Sequence, residues 1–444
     1  MSLKMSVFGT GYLGATHAAG MAELGHEVIG VDIDPAKIER LSRGEVPFFE
    51  PGLPELLKKH VDSGRLRFTT DAAEAAEFAD VHFIGVGTPQ KKGENAADMR
   101  FVDAVIETLA PLLTRPSVIL GKSTVPVGTA ARLAARVREL APVGDQAQLG
   151  WNPEFLREGF AVEDTLRPDR IVVGVDKAQP GRIEEVAREV YADAISRETP
   201  FLVTDLPTAE LVKVSANAFL ATKISFINAV AEVCEVTGAD VRDLADAIGH
   251  DERIGRKFLG AGLGFGGGCL PKDIRAFMAR AGELGVDQSL GFLREVDTVN
   301  MRRRDHVVDL ATRELGGSLR GKTIAVLGAA FKPNSDDVRD SPALEVSGRM
   351  HLAGAITKVY DPEAMANAAA VWPTLPFADT VEDALRDADL VIVATEWKQF
   401  RELDPAATAE LTAGKAIIDA RNCLPAERWI DAGWRYLGLG RYAS

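Results

Sequence analysis

The stretch Met5-Ser6-Val7-Phe8-Gly9-Thr10-Gly11-Tyr12-Leu13-Gly14 joins a short apolar run to a glycine-rich turn. The pattern Gly-x-Gly-x-x-Gly, placed between a strand and a helix, is typical of a dinucleotide-binding fold. Its first glycine makes the tight turn, its second lets the backbone approach a pyrophosphate, and its third lets helix and strand pack closely. Backbone N–H groups at the helix start then hold the phosphates. We therefore predict cofactor contacts at Gly9, Gly11, Tyr12, Leu13 and Gly14.

A second apolar run ends in an acidic residue about 20 residues beyond this turn. The run Val28-Ile29-Gly30-Val31 is followed by Asp32. A carboxylate at the end of the second strand accepts a hydrogen bond from a ribose 2′-hydroxyl and repels a 2′-phosphate. The position of Asp32 therefore favours NAD over NADP. The alternative is a glycine-rich turn that holds no ligand.

Short apolar runs alternate with helix-period segments over the first part of the chain, which predicts a parallel, doubly wound sheet. After Pro207 the pattern changes, and a run of about thirty residues up to Gly238 predicts one helix of roughly 45 Å. Further helices are expected at Asp240–Ile248, Pro271–Leu284 and Leu290–Glu314. Expected strands are Met5–Gly9, Glu27–Asp32, Val81–Val86, Ser117–Lys122, Gln148–Trp151, Arg170–Val175, Thr323–Leu327, Ile356–Tyr360, Leu390–Ala394 and Ala416–Asp419.

These patterns predict an α/β protein in which two Rossmann-like, doubly wound domains are joined by an all-helical domain with one long helix. Expected bounds are 1–203, 204–315 and 316–444. The last domain has one glycine in Leu327–Lys332, so close approach of a pyrophosphate to its backbone is not expected. Lys332 and Arg339 are either phosphate-binding side chains or solvated surface cations.

The composition excludes several other classes of protein. The 444 residues carry 65 acidic and 51 basic side chains, a formal charge of −14, and such a surface repels nucleic acid. No apolar run reaches the length of about 18 residues that a membrane span needs. Three cysteines are too few for a disulfide framework, which favours a reducing cytoplasm. The seven histidines show no metal-ligand spacing, so no metal is expected.

Cys269 lies in a setting that favours a reactive thiolate. Four of the five residues in Gly264–Gly268 are glycine, which offers no core to pack against. A proline two residues after the cysteine marks the first turn of the next helix, with Lys272 one turn away. The helix start and the lysine both favour the thiolate. The alternative is a small buried cysteine at a tight turn. A structural role is expected for Cys234, inside the long helix pattern, and is favoured for Cys423, which follows an apparent strand end and stays ambiguous.

Further polar residues fall at strand ends and along the long helix. Lys213 and Asn217, four residues apart on that helix, share a face and could hold a negative oxygen during a reaction. Glu154 and Glu158 follow a strand and are candidates for a base or a cofactor contact. Thr124 ends another strand, at the edge where open α/β sheets bind ligands. Exposed helix pairs and helix capping are the alternatives.

Several motifs extend from the glycine-rich turn over nearly the whole chain. They are Gly9–Gly14, Glu50–Leu53, Val86–Pro89, Lys122–Pro126, Asn152–Gly159, Lys213–Asn228, Arg253–Asp273 and Phe331–Ser341. In this order they resemble the UDP-glucose/GDP-mannose dehydrogenase family. Glu50–Leu53 and Ala216–Phe226 are typical of the branch that acts on UDP-glucose. Leu270 is familiar from the GDP-mannose branch, and Gly268 is commonly serine in both branches.

The resemblance implies a two-step oxidation of a nucleotide sugar at C6, with UDP-glucose converted to UDP-glucuronate and two NAD reduced. The alcohol loses a hydride and becomes an aldehyde. The thiolate of Cys269, which matches the family's nucleophile, must then add before a second hydride can leave, and the resulting thioester is hydrolysed. The resemblance also implies a NAD-binding domain, a central helical domain and a carboxy-terminal nucleotide-sugar domain. It implies at least a dimer, because Arg253 matches an arginine that reaches the sugar nucleotide from a neighbouring subunit.

Other residues match further family roles. Lys213 and Asn217 match the pair that stabilises developing oxyanion charge. Asp273 and Thr124 match residues that hold a water for proton transfer, and Glu154 matches a proposed base for thioester hydrolysis. Cofactor contacts are implied at Asp32, Lys37, Thr88, Thr124, Glu158, Lys272 and Arg339. Substrate contacts are implied at Glu154, Phe155, Leu156, Lys213, Asn217, Arg253, Phe258, Gly266, Phe331, Lys332 and Arg421.

Three other functions are compatible with parts of these patterns. The same chemistry could act on GDP-mannose or on a UDP-N-acetylhexosamine. A non-catalytic nucleotide-sugar sensor would have degraded motifs, whereas nucleophile, lysine, amide and aspartate are all present. A one-step dehydrogenase of the 2-hydroxy acid or 6-phosphogluconate type shares the first domain and the long helix but has no use for the cysteine loop.

Overall fold

The computed structural model describes residues 2–178 and 181–441. Two compact units divide the chain. The first consists of Met1–Ala216 with Arg275–Leu284, and the second of Asn217–Ile274 with Gly285–Ser444. Each unit contains one β-sheet.

The first unit contains an eight-stranded sheet in the order β3-β2-β1-β4-β5-β6-β7-β8. The pairs from β3 to β6 are parallel, and β6 pairs with β7 in the antiparallel direction. The order of the first six strands is that of a dinucleotide-binding fold. The strands are β1 (Lys4–Phe8), β2 (Glu27–Val31), β3 (Leu66–Thr69), β4 (Val81–Ile84), β5 (Ser117–Gly121), β6 (Ala147–Trp151), β7 (Ile171–Val175) and β8 (Phe201–Asp205).

Helices cover both faces of this sheet, and each face has its own apolar core. The first helix packs closely because its buried face is built from small residues, chiefly alanine and glycine. The helices are α1 (Tyr12–Glu23), α2 (Pro35–Ser42), α3 (Leu53–Asp62), α4 (Ala72–Phe78), α5 (Arg100–Leu109), α6 (Thr129–Leu140), α7 (Ala161–Leu166), α8 (Ile183–Val190) and α9 (Ala192–Ser196). Single 3-10 turns lie at Ala110–Leu112 and Gly144–Gln146.

A helix of 32 residues, α10 (Leu206–Thr237), begins in the first unit, and its carboxy-terminal part belongs to the second. It confirms the predicted long helix to within one residue at each end. The helices that follow are α11 (Val241–Gly249), α12 (Leu270–Glu283) and α13 (Phe292–Glu314), with a 3-10 turn at Asp287–Leu290. These also agree with the predicted segments to within two residues.

The second unit contains a five-stranded parallel sheet in the order β10-β9-β11-β12-β13. As in the first unit, the first strand of this sheet lies between the second strand and a later one. This strand order confirms the predicted α/β architecture. The strands are β9 (Thr323–Leu327), β10 (Ile356–Tyr360), β11 (Leu390–Val393), β12 (Ala416–Asp419) and β13 (Arg435–Gly438). The helices are α14 (Pro342–Leu352), α15 (Met365–Val371), α16 (Val381–Leu385), α17 (Lys398–Arg401), α18 (Pro405–Leu411) and α19 (Ala426–Asp431).

Sequence patterns missed three strands, β3, β8 and β13, which all lie at an edge of their sheet. An edge strand is covered less than a central one, so its sequence does not need a continuous apolar run. The exposed side chains of Leu202 and Val203 show this in β8. The antiparallel β6–β7 pair also departs from the predicted all-parallel sheet, because strand direction depends on pairing that no local pattern carries.

Candidate active site

The glycine-rich turn after β1 is so tight that side chains are excluded at two positions. A Cβ on Gly9 would lie 2.8 Å from the backbone nitrogen of Val86, and Gly9 has a φ of +91°. A Cβ on Gly14 would lie 1.7 Å from the carbonyl oxygen of Gly9. Gly11 is the N-cap of α1, and no side chain of the described residues caps this helix. The turn therefore has the shape and the amide groups that a pyrophosphate requires.

Asp32, directly after β2, is connected to this turn through hydrogen bonds. Its Oδ2 accepts from the backbone N–H and the hydroxyl of Thr10, at 2.9 and 3.0 Å, and from Lys37 Nζ at 2.9 Å. Burial raises the pKa of Asp32, but the hydrogen bonds from Lys37 and Thr10 outweigh it and lower the pKa overall. Asp32 is thus a fixed carboxylate, suited to the ribose 2′-hydroxyl expected at this position.

Ile33, directly after Asp32, has a side chain that is 91% exposed and was not among the residues predicted from the sequence. An isolated aliphatic side chain at the adenosine end of a dinucleotide fold is suited to cover the adenine ring. The available signal was an apolar residue that directly follows the ribose-binding acid.

The ends of β4 and β5 bring two predicted cofactor residues together. The hydroxyl of Thr88 donates to the carbonyl oxygen of Thr124 at 2.7 Å. Ser123, one residue earlier, donates to the carbonyl oxygen of Val86 at 2.7 Å. These bonds join the two loops at the carboxyl edge of the sheet, where open α/β folds bind ligands.

The loop that follows β6 carries the predicted residues Glu154, Phe155 and Leu156. Glu154 Oε1 accepts from the backbone N–H groups of Phe155 and Leu156, at 2.6 and 3.1 Å. The Phe155 ring lies close to two cations, with Arg170 Cζ at 3.9 Å and Lys213 Nζ at 5.4 Å from the ring centroid. The structure therefore brings Lys213 of α10 to this loop, while Glu158 is half-buried further along it.

Glu50 explains part of the Glu50–Leu53 motif, to which sequence analysis gave no role of its own. This buried carboxylate accepts from the backbone N–H groups of Gly159 and Ala161, both at 2.7 Å, and from the hydroxyl of Tyr12. Since Gly159 ends the loop after β6 and Tyr12 begins α1, Glu50 connects two of the predicted ligand-binding segments.

In the second unit, Cys269 is exposed immediately before α12 begins at Leu270. Its carbonyl oxygen accepts the backbone N–H of Asp273 at 2.9 Å, the first hydrogen bond of this helix. The predicted position at a helix amino terminus is therefore correct. Cys234 is buried and Cys423 is half-buried, and burial raises the pKa of both thiols. Both properties agree with the structural role expected for these two residues.

Asp273 is the centre of the polar contacts next to the cysteine. It is only 1% exposed, and its two oxygens accept from Asn217 Nδ2 and from Lys272 Nζ, both at 2.6 Å. The structure thus joins two predicted catalytic residues, Asn217 and Asp273, that lie 56 positions apart. Lys272 forms an ion pair with Asp273, and its influence on the Cys269 thiolate stays a prediction.

The expectation that the glycine-rich loop has no core to pack against is wrong. Three of its glycines are buried, and a Cβ would meet close neighbours at each of them. It would lie 2.5 Å from Asn300 Oδ1 at Gly264, 2.2 Å from the carbonyl oxygen of Asp340 at Gly266, and 2.7 Å from the Phe331 ring at Gly267. The glycines make space for these neighbours, which hold the backbone that leads to Cys269.

Asn300, which was not predicted from the sequence, bonds to both backbone polar groups of Phe265 in this loop. Its Oδ1 accepts from the backbone N–H of Phe265 at 2.7 Å, and its Nδ2 donates to the Phe265 carbonyl at 3.0 Å. The buried Arg304 donates to the same carbonyl at 3.3 Å and forms ion pairs with Asp340 and Glu345. For Arg304 the available signal was the adjacent pair Arg303-Arg304, which the sequence showed only as part of a short basic run.

Arg421, a predicted substrate residue, is mostly buried and makes three backbone contacts. It donates to the carbonyl oxygens of Ala394 at 2.8 Å, Gly264 at 2.8 Å and Phe331 at 3.2 Å. It therefore joins the cysteine loop to the loop after β9, where Lys332 Nζ lies 5.2 Å from the Phe331 ring centroid. Further predicted residues in the second unit, Arg253, Phe258 and Arg339, are exposed.

Asp361, after β10, corresponds in position to Asp32 of the first unit. It is buried and accepts from the backbone N–H groups of Ala329 and Ala330 at 2.8 and 3.0 Å, and from Trp397 Nε1 at 3.0 Å. Both oxygens of Asp361 accept from protein groups and the residue is buried, whereas Asp32 is partly exposed, so Asp361 is the less accessible carboxylate for a ribose. This agrees with the expectation that the last domain does not bind a dinucleotide in the same way.

The fold and these residues define a dehydrogenase of the dinucleotide-binding α/β class. Residues 3–195 match the NAD binding domain of the UDP-glucose/GDP-mannose dehydrogenase family, residues 207–302 its central domain and residues 325–426 its UDP binding domain. The chain belongs to this family, and it is an NAD-dependent oxidoreductase.

Several known proteins are similar to this chain over nearly its whole length and theirs. A UDP-glucose 6-dehydrogenase from Rhizobium meliloti (strain 1021) is 42% identical, with 99% of this chain and 100% of that protein covered. A UDP-glucose 6-dehydrogenase from Bacillus subtilis (strain 168) is 39% identical, with 99% of this chain and 98% of that protein covered. The solved structure of a UDP-glucose dehydrogenase from the hyperthermophilic archaeon Pyrobaculum islandicum is 39% identical, covers 99% and 98%, and has a TM-score of 0.90. In residues 2–178 and 181–441, no helix has the length and apolar character needed to cross a bilayer.

Proposed function

We propose that this protein oxidises UDP-glucose to UDP-glucuronate and reduces two NAD in each cycle. The observation that carries the proposal is the exposed Cys269 at the start of α12, in a chain that has all three domains of the family. A cysteine in this position distinguishes a four-electron oxidation from a single hydride transfer, which needs no nucleophile. The similar proteins from Rhizobium meliloti and Bacillus subtilis, both UDP-glucose 6-dehydrogenases, support the choice of sugar.

The chemistry takes place in three stages. The C6 alcohol gives a proton to a base and a hydride to the first NAD, and becomes an aldehyde. The Cys269 thiolate adds to the aldehyde, and the resulting thiohemiacetal gives a hydride to the second NAD and becomes a thioester. Water then hydrolyses the thioester, which releases the acid and restores the thiolate.

Individual residues fit these stages by their position and chemistry. We assign Lys213 and Asn217 to the oxygen that becomes negative, and Asp273 and Thr124 to the water that relays protons. Glu154 is assigned to the hydrolysis. The cofactor assignment uses Gly9, Gly11, Tyr12, Leu13, Gly14, Asp32, Lys37, Thr88, Thr124, Glu158, Lys272 and Arg339, with Ile33 added for the adenine. The substrate assignment uses Glu154, Phe155, Leu156, Lys213, Asn217, Arg253, Phe258, Gly266, Phe331, Lys332 and Arg421.

The proposed domain bounds are 1–203, 204–315 and 316–444. The family ranges 3–195, 207–302 and 325–426 support this division. We also propose a cytoplasmic location, for which the supporting observation remains the low number of cysteines. Fractionation of the source cells with an antibody against the protein tests the location.

We propose further that the protein is a dimer or a larger assembly of identical chains. On α10, Phe219, Phe226 and Val233 are seven residues apart, lie on one face and are each more than half exposed. Such a regular apolar stripe matches a second copy of itself, and the exposed Arg253 fits a role in a neighbouring subunit. Light scattering after gel filtration should give at least twice the mass of one chain, and Phe226→Glu should reduce it. A single-chain mass for the unmodified protein would reject the proposal.

The stoichiometry of NADH tests the proposed reaction. The purified protein should form two NADH per UDP-glucose consumed, and Cys269→Ala should form no UDP-glucuronate. A ratio of one, or full activity of Cys269→Ala, would reject the mechanism. A comparison of kcat/KM for UDP-glucose, GDP-mannose and UDP-N-acetylhexosamines tests the sugar, and a higher value for either alternative would reject UDP-glucose.

A further inference from the structure

Lys122, at the end of β5, is a buried lysine to which the assignments above give no role. Only 5% of its side chain is exposed. Its Nζ lies 2.9 Å from Glu154 Oε2, 3.1 Å from Asn152 Oδ1 and 3.3 Å from the hydroxyl of Tyr191. These three oxygens match the three hydrogens of the ammonium group. Glu154 is the carboxylate among them and balances the buried charge.

The partners of Lys122 are themselves fixed. Asn152 Nδ2 donates to the carbonyl oxygen of Val172 at 2.9 Å, and Tyr191 donates to Asn152 Oδ1 at 2.5 Å. Burial lowers the pKa of Lys122, but the interactions with Glu154 and Tyr191 together outweigh this and raise the pKa overall. Lys122 therefore stays charged, and its position is set by β-strands β5, β6 and β7 rather than by a mobile surface.

The arrangement leaves Glu154 with one open acceptor position. A carboxylate has about four lone-pair sites. Glu154 Oε1 uses two of them for the N–H groups of Phe155 and Leu156, and Oε2 uses one for Lys122. Among the described residues no other donor reaches Oε2, and 19% of the Glu154 side chain is exposed. A water molecule can therefore bond to this carboxylate in one direction, which Lys122 determines.

We propose that Lys122 is a positioning residue for the hydrolytic half of the reaction, because it orients Glu154 Oε2 toward the attacking water. This inference rests on the proposed function, which places a thioester in the cycle. In the step concerned, the water oxygen bonds to the acyl carbon and the water proton passes to Glu154 Oε2. The C–S bond then breaks, and its electron pair returns to Cys269. The two hydride transfers precede this step and do not involve Lys122.

Rapid-mixing experiments with Lys122→Met test this separation of the two halves. The variant should form two NADH per active site in a fast burst and then turn over about 100-fold more slowly than the unmodified protein, because misplacement by about 1 Å costs that much. Intact-mass measurement of the quenched protein should show the acyl adduct on Cys269. Glu154→Gln should behave in the same way, and the double variant should be no slower than the slower single variant.

Arg157→Met is the matched control, since Arg157 also pairs with a carboxylate, Asp164, but at the exposed side of the same loop. It should show no burst and no adduct. Thermal unfolding shows whether Lys122→Met folds. If it does not, Lys122→Gln, which keeps a hydrogen-bond donor for Asn152, is used in the same experiment. Turnover equal to the unmodified protein, or slow turnover without burst and adduct, would overturn the role of Lys122. Failure of the proposed function is distinguished by the unmodified protein, which would then not form two NADH per UDP-glucose.

Discussion

The side-chain amide of Asn217 donates a hydrogen bond of 2.6 Å to the carboxylate of Asp273, which lies 56 residues further along the chain. Lys272 donates to the other oxygen of the same carboxylate. A buried carboxylate with a donor on each oxygen has a fixed orientation. In turn it fixes the rotation of the Asn217 amide, so a residue proposed to bind the reacting oxygen is oriented in advance.

Replacement of Asn217 by leucine should lower both stability and activity. The variant leaves one oxygen of a buried carboxylate without its donor, which costs about 2 kcal/mol. Urea unfolding should show this loss, and kcat should fall more than KM rises if the amide acts in the transition state. Ser215→Ala, at an exposed position on the same helix, is the control and should change neither quantity. An unchanged unfolding free energy for Asn217→Leu would contradict the importance of this bond.

Asp32→Ser should shift the cofactor preference from NAD toward NADP. The change removes the carboxylate that accepts from Lys37 and leaves a cation at the position of the 2′-phosphate. We expect kcat/KM for NAD to fall and that for NADP to rise, so the ratio of the two should change by at least about 100-fold, or roughly 3 kcal/mol. Glu39→Ser removes a nearby exposed acid and should leave the ratio unchanged. Retained discrimination against NADP in Asp32→Ser would count against this role.

Acid should destabilise the protein through its buried histidines. Burial lowers the pKa of His82 to about 3, and that of His17 well below 6.5. The folded state therefore binds fewer protons than the unfolded state once the pH falls below 6.5, and stability is lost from there down to the folded pKa. Each such histidine contributes a slope of about 1.4 kcal/mol per pH unit.

Urea unfolding between pH 7 and pH 5 measures this slope. His82→Gln should make it shallower by the contribution of one histidine, whatever the stability of the variant at pH 7. His250→Gln, at an exposed position, should leave the slope unchanged. Equal slopes for His82→Gln and the unmodified protein would show that His82 is not neutral in the folded state.

Two glycines of the cysteine loop should differ in their tolerance of alanine. A Cβ at Gly266 would lie 2.2 Å from the carbonyl oxygen of Asp340, which is backbone, whereas at Gly268 it would meet the guanidinium end of Arg339. A flexible side chain can move and a packed backbone cannot. Gly266→Ala should therefore cost about 3 kcal/mol and most of the activity, and Gly268→Ala less than about 1 kcal/mol. Equal losses in thermal or urea unfolding would contradict this explanation.

The sequence alone determined the features that depend on neighbouring residues. Gly9–Gly14 and Asp32 predicted the cofactor turn and its ribose-binding acid, because φ angles and strand-to-helix turns depend on local residue type. The absence of proline and glycine after Pro207 predicted the long helix, and the proline after Cys269 predicted the helix start there. These signals are local, and the structure has the tight turn, the long helix and the helix start where they were expected.

The tertiary structure alone decided which distant residues meet. Glu154 pairs with Lys122 from another strand, and Asn300 binds the loop that leads to Cys269. It also decided the edge strands and the direction of β7. The physical reason is that a buried polar group must find a partner of complementary charge or hydrogen-bonding capacity. Which partner it finds depends on packing between segments that lie far apart in the chain. The periodicity of residues along the chain does not predict that packing.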